Sequence, residues 1–285
     1  MADSGAVFSA SGAERHFDFS DADFSRVRAM IHRRAGISLG AHKREMVYSR
    51  LARRLRARGM PGFGPYLAEL DASDAAPEWE MFINALTTNL TAFFREQHHF
   101  PILADYVRQL NRPVQIWCNA ASTGEEPYSI AMTLIDALGS RIGDSAVLAT
   151  DVDTNVLQRA RSAVYPAERV DKVPDDILRR FFLKGRGKNA GLVRVRPDVA
   201  SRVQFDQLNL LDSQWPLREP FDAIFCRNVM IYFDKPTQAK ILEHMAPLLR
   251  PGGLLFAGHS ENFTYVTRAF RLKGQTVYER VAGVP

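Results

Sequence analysis

From about residue 114 onward, short apolar runs alternate with stretches of helical period, and no other feature of the chain restricts its fold as much. The runs at 114–118, 146–150, 203–205, 223–226 and 254–257 are apolar almost without interruption, as expected of strands covered on both faces. Between them, a 3.6-residue periodicity predicts helices over 127–138, 154–162 and 237–249, with Pro251-Gly252-Gly253 stopping the last one before a strand. Strands buried on both faces and separated by amphipathic helices predict an α/β chain, a doubly wound and mostly parallel sheet. One stretch breaks the rhythm. Residues 165–202 are too long for a simple strand-to-helix connection and hold a helix, the turn cluster G-R-G-K-N-A-G and the alternating run L-V-R-V-R. We read them as a small inserted β subdomain, with Gly185, Gly187, Leu192 and Arg194 at an exposed edge able to accept an extended peptide.

The N-terminal third is helical in pattern instead. Residues 1–16 are small and polar and are expected to be disordered. A helix follows from Ser20, with Phe24, Val27 and Ile31 on one face and Gly36 as its stop. A second runs over 41–58 and is closed by Gly59. Val47, Leu51 and Leu55 share one stripe of it, whereas Arg50, Arg53 and Arg56 fall on the far side. Further helices at 66–70 and 79–86 complete a small all-α N-terminal domain over 17–88. An interdomain segment with a connecting helix at about 97–110 occupies 89–111, and the α/β domain takes 112–285.

The net charge of +5 suits an anionic partner, and its distribution says where that partner docks. Between Arg26 and Arg58 eleven Lys and Arg face a single acid, Glu45. No run approaches the ~18 apolar residues of a membrane span, and no charged-then-apolar leader opens the chain, so a cytoplasmic location is expected. The two cysteines, Cys118 and Cys226, each end a core strand and read as small buried thiols, so neither a disulfide nor a zinc site is expected.

The first strand runs into C-N-A-A-S-T-G-E-E-P-Y, residues 118–128. A loop opening a helix at this place in a doubly wound sheet is a cofactor loop, but a pyrophosphate would want G-x-G-x-x-G, and here Gly124 is followed by Glu125 and Glu126. Two carboxylates serve an anion badly. They serve S-adenosylmethionine well, since it carries a sulfonium and an ammonium and no phosphate. The same acids also complement the dipole of the helix they open, so their role stays open at this point. Asp151, at the tip of the second strand in A-T-D-V-D, stands where an acid accepts from ribose hydroxyls.

These residues, with L-T-T-N-L-T-A-F-F-R-E (86–96), A-S-T-G-E-E-P-Y-S (121–129), F-D-A-I-F-C-R-N-V-M-I-Y-F (221–233) and G-H-S-E-N (258–262), give the chain a resemblance to the CheR family of chemotaxis receptor glutamate methyltransferases, from about residue 18 to the C-terminus. The resemblance implies a helical domain joined to a methyltransferase sheet with an inserted β subdomain. It implies methyl transfer from S-adenosyl-L-methionine to receptor glutamates, leaving S-adenosyl-L-homocysteine. Asn89, Thr91 and Arg95 would close over the cofactor, Glu126 and Asp151 would make polar contacts to it, and Asn209 and Leu210 would flank its adenine. Arg227 and Asn228 would lie near its methionine end, with Arg95 and Tyr232 nearest the transferred methyl group. Partners implied are membrane chemoreceptors: their methylation helices on Arg50, Arg53 and Arg56, and in some receptors a C-terminal tail tethered by the inserted subdomain at Gly185, Gly187, Leu192 and Arg194.

A carboxylate attacking a sulfonium methyl needs alignment and no general base, because its ordinary pKa near ~4.3 leaves it ionised. His98 and His99 are read as structural, since adjacent helical residues point about 100° apart and do not share a metal easily; His259 is read as a support to the site. A nucleic-acid methyltransferase is disfavoured because R-N-V-M stands where amino-methylating DNA enzymes carry N/D-P-P-Y/F. A non-catalytic cofactor-binding adaptor is disfavoured by the presence of Arg95, Asp151 and Tyr232. Without an apolar patch or heptad, a monomer is expected.

Overall fold

A computed structural model describes residues 16–217 and 220–281. The expected disordered segment lies outside the described residues except for His16. Four α-helices come first among the described residues: α1 (Asp21–Ala35), α2 (Arg44–Arg58), α3 (Phe63–Ala72) and α4 (Glu78–Leu86). Ser20 begins α1 with a reciprocal capping pair to Asp23, and Gly36, at φ 68°, ends it in the left-handed region. The apolar stripes of these helices meet in a core of their own, with Val27, Ile31, Leu51, Leu55, Tyr66 and Phe82 fully buried. Within it the buried Glu78 is held by Arg54 (2.7 Å), Arg58 (3.0 Å) and the Tyr66 hydroxyl (2.9 Å).

After α5 (His99–Arg108) the chain runs β1 (Gln115–Cys118), α6 (Glu125–Leu138), β2 (Ala146–Asp151), α7 (Thr154–Ser162), β3 (Val164–Pro166), α8 (Asp175–Phe181), β4 (Phe182–Lys184), β5 (Leu192–Val195), α9 (Pro197–Ala200), β6 (Val203–Gln207), β7 (Phe221–Cys226), α10 (Lys235–Met245), β8 (Leu249–Ala257), β9 (Phe270–Gly274) and β10 (Val277–Arg280). The main sheet has the order β6-β2-β1-β7-β8-β10-β9, parallel from β6 through β8 and antiparallel beyond it. The mostly parallel, doubly wound sheet expected from the strand–helix alternation is present. Strand order reverses between β1 and β7, and outside the carboxyl ends of those two strands such a sheet leaves a crevice.

Three expectations need correction. The hairpin β9–β10 was not foreseen. Helix α10 stops at Met245 and tightens into a 3-10 turn at Ala246–Leu248, because Pro247 has no N–H with which to continue it. The third concerns the inserted unit, a three-stranded antiparallel sheet of order β3-β5-β4. Leu192 and Arg194 lie in its central strand, paired on both sides, so the open edges belong to β3 and β4. Gly185 and Gly187 form the turn between β4 and β5. A Cβ on Gly185 would stand 2.0 Å from the Asn189 carbonyl oxygen, so this glycine permits the turn and offers no free edge.

Candidate active site

A cleft opens at the crevice between β1 and β7, roofed by the α1–α2 connection and by the segment joining α4 to α5. Asn89, Thr91, Arg95, Glu126, Asp151, Asn209, Leu210, Arg227, Asn228 and Tyr232 all line it, so five separate stretches of chain converge with the α1–α2 connection on one space.

The loop after β1 is pinned to both neighbouring strands: the Asn119 N–H donates to the Phe225 carbonyl (3.1 Å) and the Ala121 N–H to that of Thr150 (2.9 Å). At Ser122 the backbone turns to φ 48°, and its N–H donates to Asp151 Oδ2 (2.8 Å). Gly124 then opens α6 at φ 97°, where a Cβ would come within 2.8 Å of the Tyr165 hydroxyl and 2.9 Å of Ala160 Cβ. Only glycine fits there. Asp151 Oδ1 accepts from the Asp153 N–H (3.0 Å), and burial pushes the Asp151 carboxyl up to about 6.

Behind the cleft a buried guanidinium organises two acids. Arg227 meets Glu126 at 2.6 Å and Glu96 at 3.3 Å, and donates to the Arg95 carbonyl at 2.5 Å. Burial raises the Glu126 carboxyl and Arg227 opposes it. Burial also opposes ionisation of Glu96, but Arg227 and the His259 ring, 3.1 Å from Oε1, outweigh it and bring that carboxyl down to about 2. The linker at Phe94 and Glu96 takes positive φ values of 52° and 55°, a conformation that costs roughly 1–3 kcal/mol per residue and persists because its bonds over-determine it. Those bonds include the Phe94 N–H to Ser129 Oγ (2.9 Å), and upstream Asn89 and Thr87 both donate to Asp153 Oδ2 (2.9 and 2.6 Å).

The loop after β7 presents Asn228 at φ 57° and then Tyr232. Glu261 holds this loop: its carboxylate accepts from the N–H groups of Asn228 (2.9 Å), Val229 (3.0 Å), Met230 (2.8 Å) and Gly258 (2.6 Å). Burial raises the Tyr232 hydroxyl, against the charges of Arg95 and Arg50 that face it. Asn209 donates to the Arg34 carbonyl (2.8 Å), and the Ser38 N–H donates to that of Tyr232 (2.9 Å), so the helical domain is bonded to both sides of the crevice.

Two family profiles match the chain. Residues 22–87 match one described as CheR methyltransferase, all-alpha domain, and residues 89–279 one described as CheR methyltransferase, SAM binding domain. The chain belongs to the CheR methyltransferase family. Relatives named chemotaxis protein methyltransferase include those of Klebsiella aerogenes, 60% identical over 91% of this chain and 89% of the relative, and Escherichia coli, 56% identical over 91% of each. Chemotaxis protein methyltransferase 2 of Pseudomonas aeruginosa is 53% identical over 93% of this chain and 95% of its own length.

S-adenosylmethionine is the cofactor of this CheR domain, and the cleft fits it. Asn119 Oδ1 and Ser122 Oγ are buried in the cleft wall without a hydrogen-bond partner among the described residues, a condition costing roughly 1–3 kcal/mol per group until a polar ligand supplies one. Asp151 and Glu126 add carboxylates suited to hydroxyl donors and cations. Glu125, the other acid of the loop, turns away: it is fully buried against Thr123 Oγ1 (2.6 Å) and Arg169 of the inserted subdomain.

Other sequence readings change in this CheR structure. Arg50 is half-buried and donates to the carbonyls of Ala85 and Thr87 at the end of α4, and it departs from the solvated row in which Arg53 and Arg56 stand exposed. His98 and His99, at the start of α5, have ring centroids 4.2 Å apart, and with Glu96 their donor atoms lie within 4.8 Å. Glu96 is already shared by Arg227 and His259, so a metal ion there would face a buried guanidinium. Burial drives both cysteine thiols well above their ordinary pKa, which suits neither to nucleophilic chemistry. Sequence reasoning missed Glu96, Asp153 and Glu261 as organising residues, although each stands inside a recognised motif; only Asp153, at the N-cap of α7, carried a local signal.

Proposed function

We propose that this methyltransferase esterifies glutamate side chains of chemoreceptors, converting them to γ-methyl esters in sensory adaptation. The observation that carries the reading is Arg95: it lines the cleft beside Tyr232, gives one donor to the Leu90 carbonyl (2.9 Å) and forms no ion pair among the described residues. Glu96, its sequence neighbour, is committed to Arg227 instead. A guanidinium in this state suits a carboxylate arriving from outside.

S-adenosylmethionine supplies a methyl group made electrophilic by its sulfonium sulfur. Asp151, Glu126, Asn209 and Asn228 would hold it, with Asn89 and Thr91 closing from the linker. Arg95 would grip one oxygen of the acceptor glutamate and leave the other free to take the methyl group that the bound cofactor would supply. No proton moves. The acceptor is ionised at neutral pH, so the enzyme contributes alignment and exclusion of water, worth roughly 7–11 kcal/mol in well-oriented systems. Tyr232 orients the carboxylate from the other side.

Exposed Arg53 and Arg56 dock the acidic methylation helix, with Arg50 nearer the cleft, where its charge faces Tyr232. An open edge of the inserted sheet, at β3 or β4, takes the tail peptide of receptors that carry one as an added strand, which raises local substrate concentration. The protein acts from the cytoplasm at receptor arrays; no helix among the described residues is long and apolar enough to cross a membrane. Peptide mapping by mass spectrometry, after incubation of chemoreceptor membranes with methyl-labelled cofactor, tests this reading. Label on glutamate supports it, and label on lysine, arginine or added DNA overturns it.

A further inference from the structure

The inserted subdomain grips the cofactor site, and one side chain joins the two. Arg169 follows β3, and its Nε donates to Glu125 Oε1 (3.0 Å) at the start of α6. Its Nη2 reaches the same carboxylate and also the carbonyl of Thr91 (3.1 Å) in the linker over the cleft. Around this contact the subdomain holds the same two stretches again. The Tyr165 hydroxyl donates to the Thr123 carbonyl (2.8 Å) of the cofactor loop, and the Phe93 ring of the linker stands edge-on to Tyr165 and Phe182, with centroids 5.0 and 5.1 Å away. Glu125 has no exposed side chain, so Arg169 is the charge that makes its burial tolerable.

We propose that Arg169 is a positioning residue for the S-adenosylmethionine site, so that the inserted subdomain shapes cofactor binding independently of any receptor tail it holds. Arg169 itself is not among the residues lining the cleft. It fixes the distance between the loop carrying Ser122 and Glu126 and the linker carrying Thr91 and Arg95, both of which line the cleft. Only its activity arm rests on the receptor reading above.

The test compares wild type with Arg169→Ala, Arg169→Lys and Tyr165→Phe in the full chain. Three quantities are measured: S-adenosylmethionine affinity by calorimetry, amide exchange over residues 89–96 without cofactor, and methylation of receptor membranes with the C-terminal tail present and deleted. The expected result for Arg169→Ala is affinity weakened about tenfold, as for a lost charge-assisted contact, with faster exchange in the linker and a parallel loss of methylation on the tail-deleted receptor. Lysine, reaching Glu125 or Thr91 but not both, gives an intermediate value. Tyr165→Phe preserves the ring packing and gives a smaller loss in the same direction, so the comparison still decides if Arg169→Ala does not fold. Unchanged affinity and unchanged exchange in the folded variants overturn the proposal, as does a methylation defect confined to receptors that keep the tail. Cofactor binding by wild type without receptor labelling would instead count against the proposed acceptor, while the affinity comparison still decides the role of Arg169.

Discussion

Asp151 sits in the site with a carboxyl that burial has raised to about 6, although it accepts two backbone N–H bonds. Ribose hydroxyls would favour its ionised form. Below about 6 the free protein holds a proton there that binding must expel, so S-adenosylmethionine affinity is predicted to fall as pH drops through that value, approaching about tenfold per unit. Titration calorimetry between pH 5 and 8 checks it; Asp151→Asn should weaken binding about ten- to a hundredfold and flatten the pH profile. Glu261 makes a different prediction because it acts through the backbone. Glutamine in its place would turn an amide N–H2 toward N–H groups that now have an oxygen, displacing the loop that bears Asn228 and Tyr232. A shift of about 1 Å near reacting atoms costs on the order of a hundredfold in rate, so Glu261→Gln is predicted to lower kcat by about that factor while cofactor affinity changes less. Steady-state kinetics beside binding data separate the two. Glu261 was visible in G-H-S-E-N, but nothing in its residue type says that its partners are four main-chain N–H groups. Asp151 was legible because a strand tip fixes where its side chain points.

The elements were read unevenly, and the reasons are physical. Strands β1, β2 and β7 announce themselves as apolar runs because helices cover both their faces, and each is followed by a helix. Strand β9 reads F-R-L-K-G, with Arg271, Leu272 and Lys273 exposed at the sheet edge, so its pattern resembles a surface loop. In the inserted sheet, alternation identified β5 as a strand, yet alternation carries no information on whether a strand is central or at an edge; register and neighbours decide that. The loop between β1 and α6 was legible through Gly124, and its conformation is predicted to be costly to change. Gly124→Ala places a side chain at φ 97° against Tyr165 and Ala160, so urea denaturation should show a loss of at least about 1–3 kcal/mol. On α2 the periodicity placed all three arginines on one face, whereas Arg50 leans far enough round the helix to cap α4. Charge reversal at the exposed pair, Arg53→Glu with Arg56→Glu, is therefore predicted to raise KM for receptor membranes several-fold, with a wild-type affinity for the cofactor and a defect that shrinks at high salt. Equal loss of cofactor binding would show that α2 acts on the cleft rather than on the receptor.

At the scale of the whole molecule, the cleft exists because two cores are bonded across it. The helical domain reaches the sheet through Asn209 to Arg34, Ser38 to Tyr232, and Thr87 and Asn89 to Asp153, and the inserted subdomain closes the third side through Arg169. The match to the SAM binding domain identifies the cofactor, and the architecture agrees with it: the doubly wound sheet leaves its crevice between β1 and β7, and the loop there offers acids and polar atoms unpartnered among the described residues instead of a phosphate cradle. The acceptor is a finer question and turns on Arg95. The most direct measurement is transfer from methyl-labelled S-adenosylmethionine to chemoreceptor membranes by wild type and by Arg95→Ala, with label counted as volatile methanol after mild alkali. The account predicts alkali-labile label on the receptor with wild type and its near-complete loss with Arg95→Ala. Label that resists alkali, or an Arg95→Ala enzyme that esterifies the receptor as well as wild type, would contradict it.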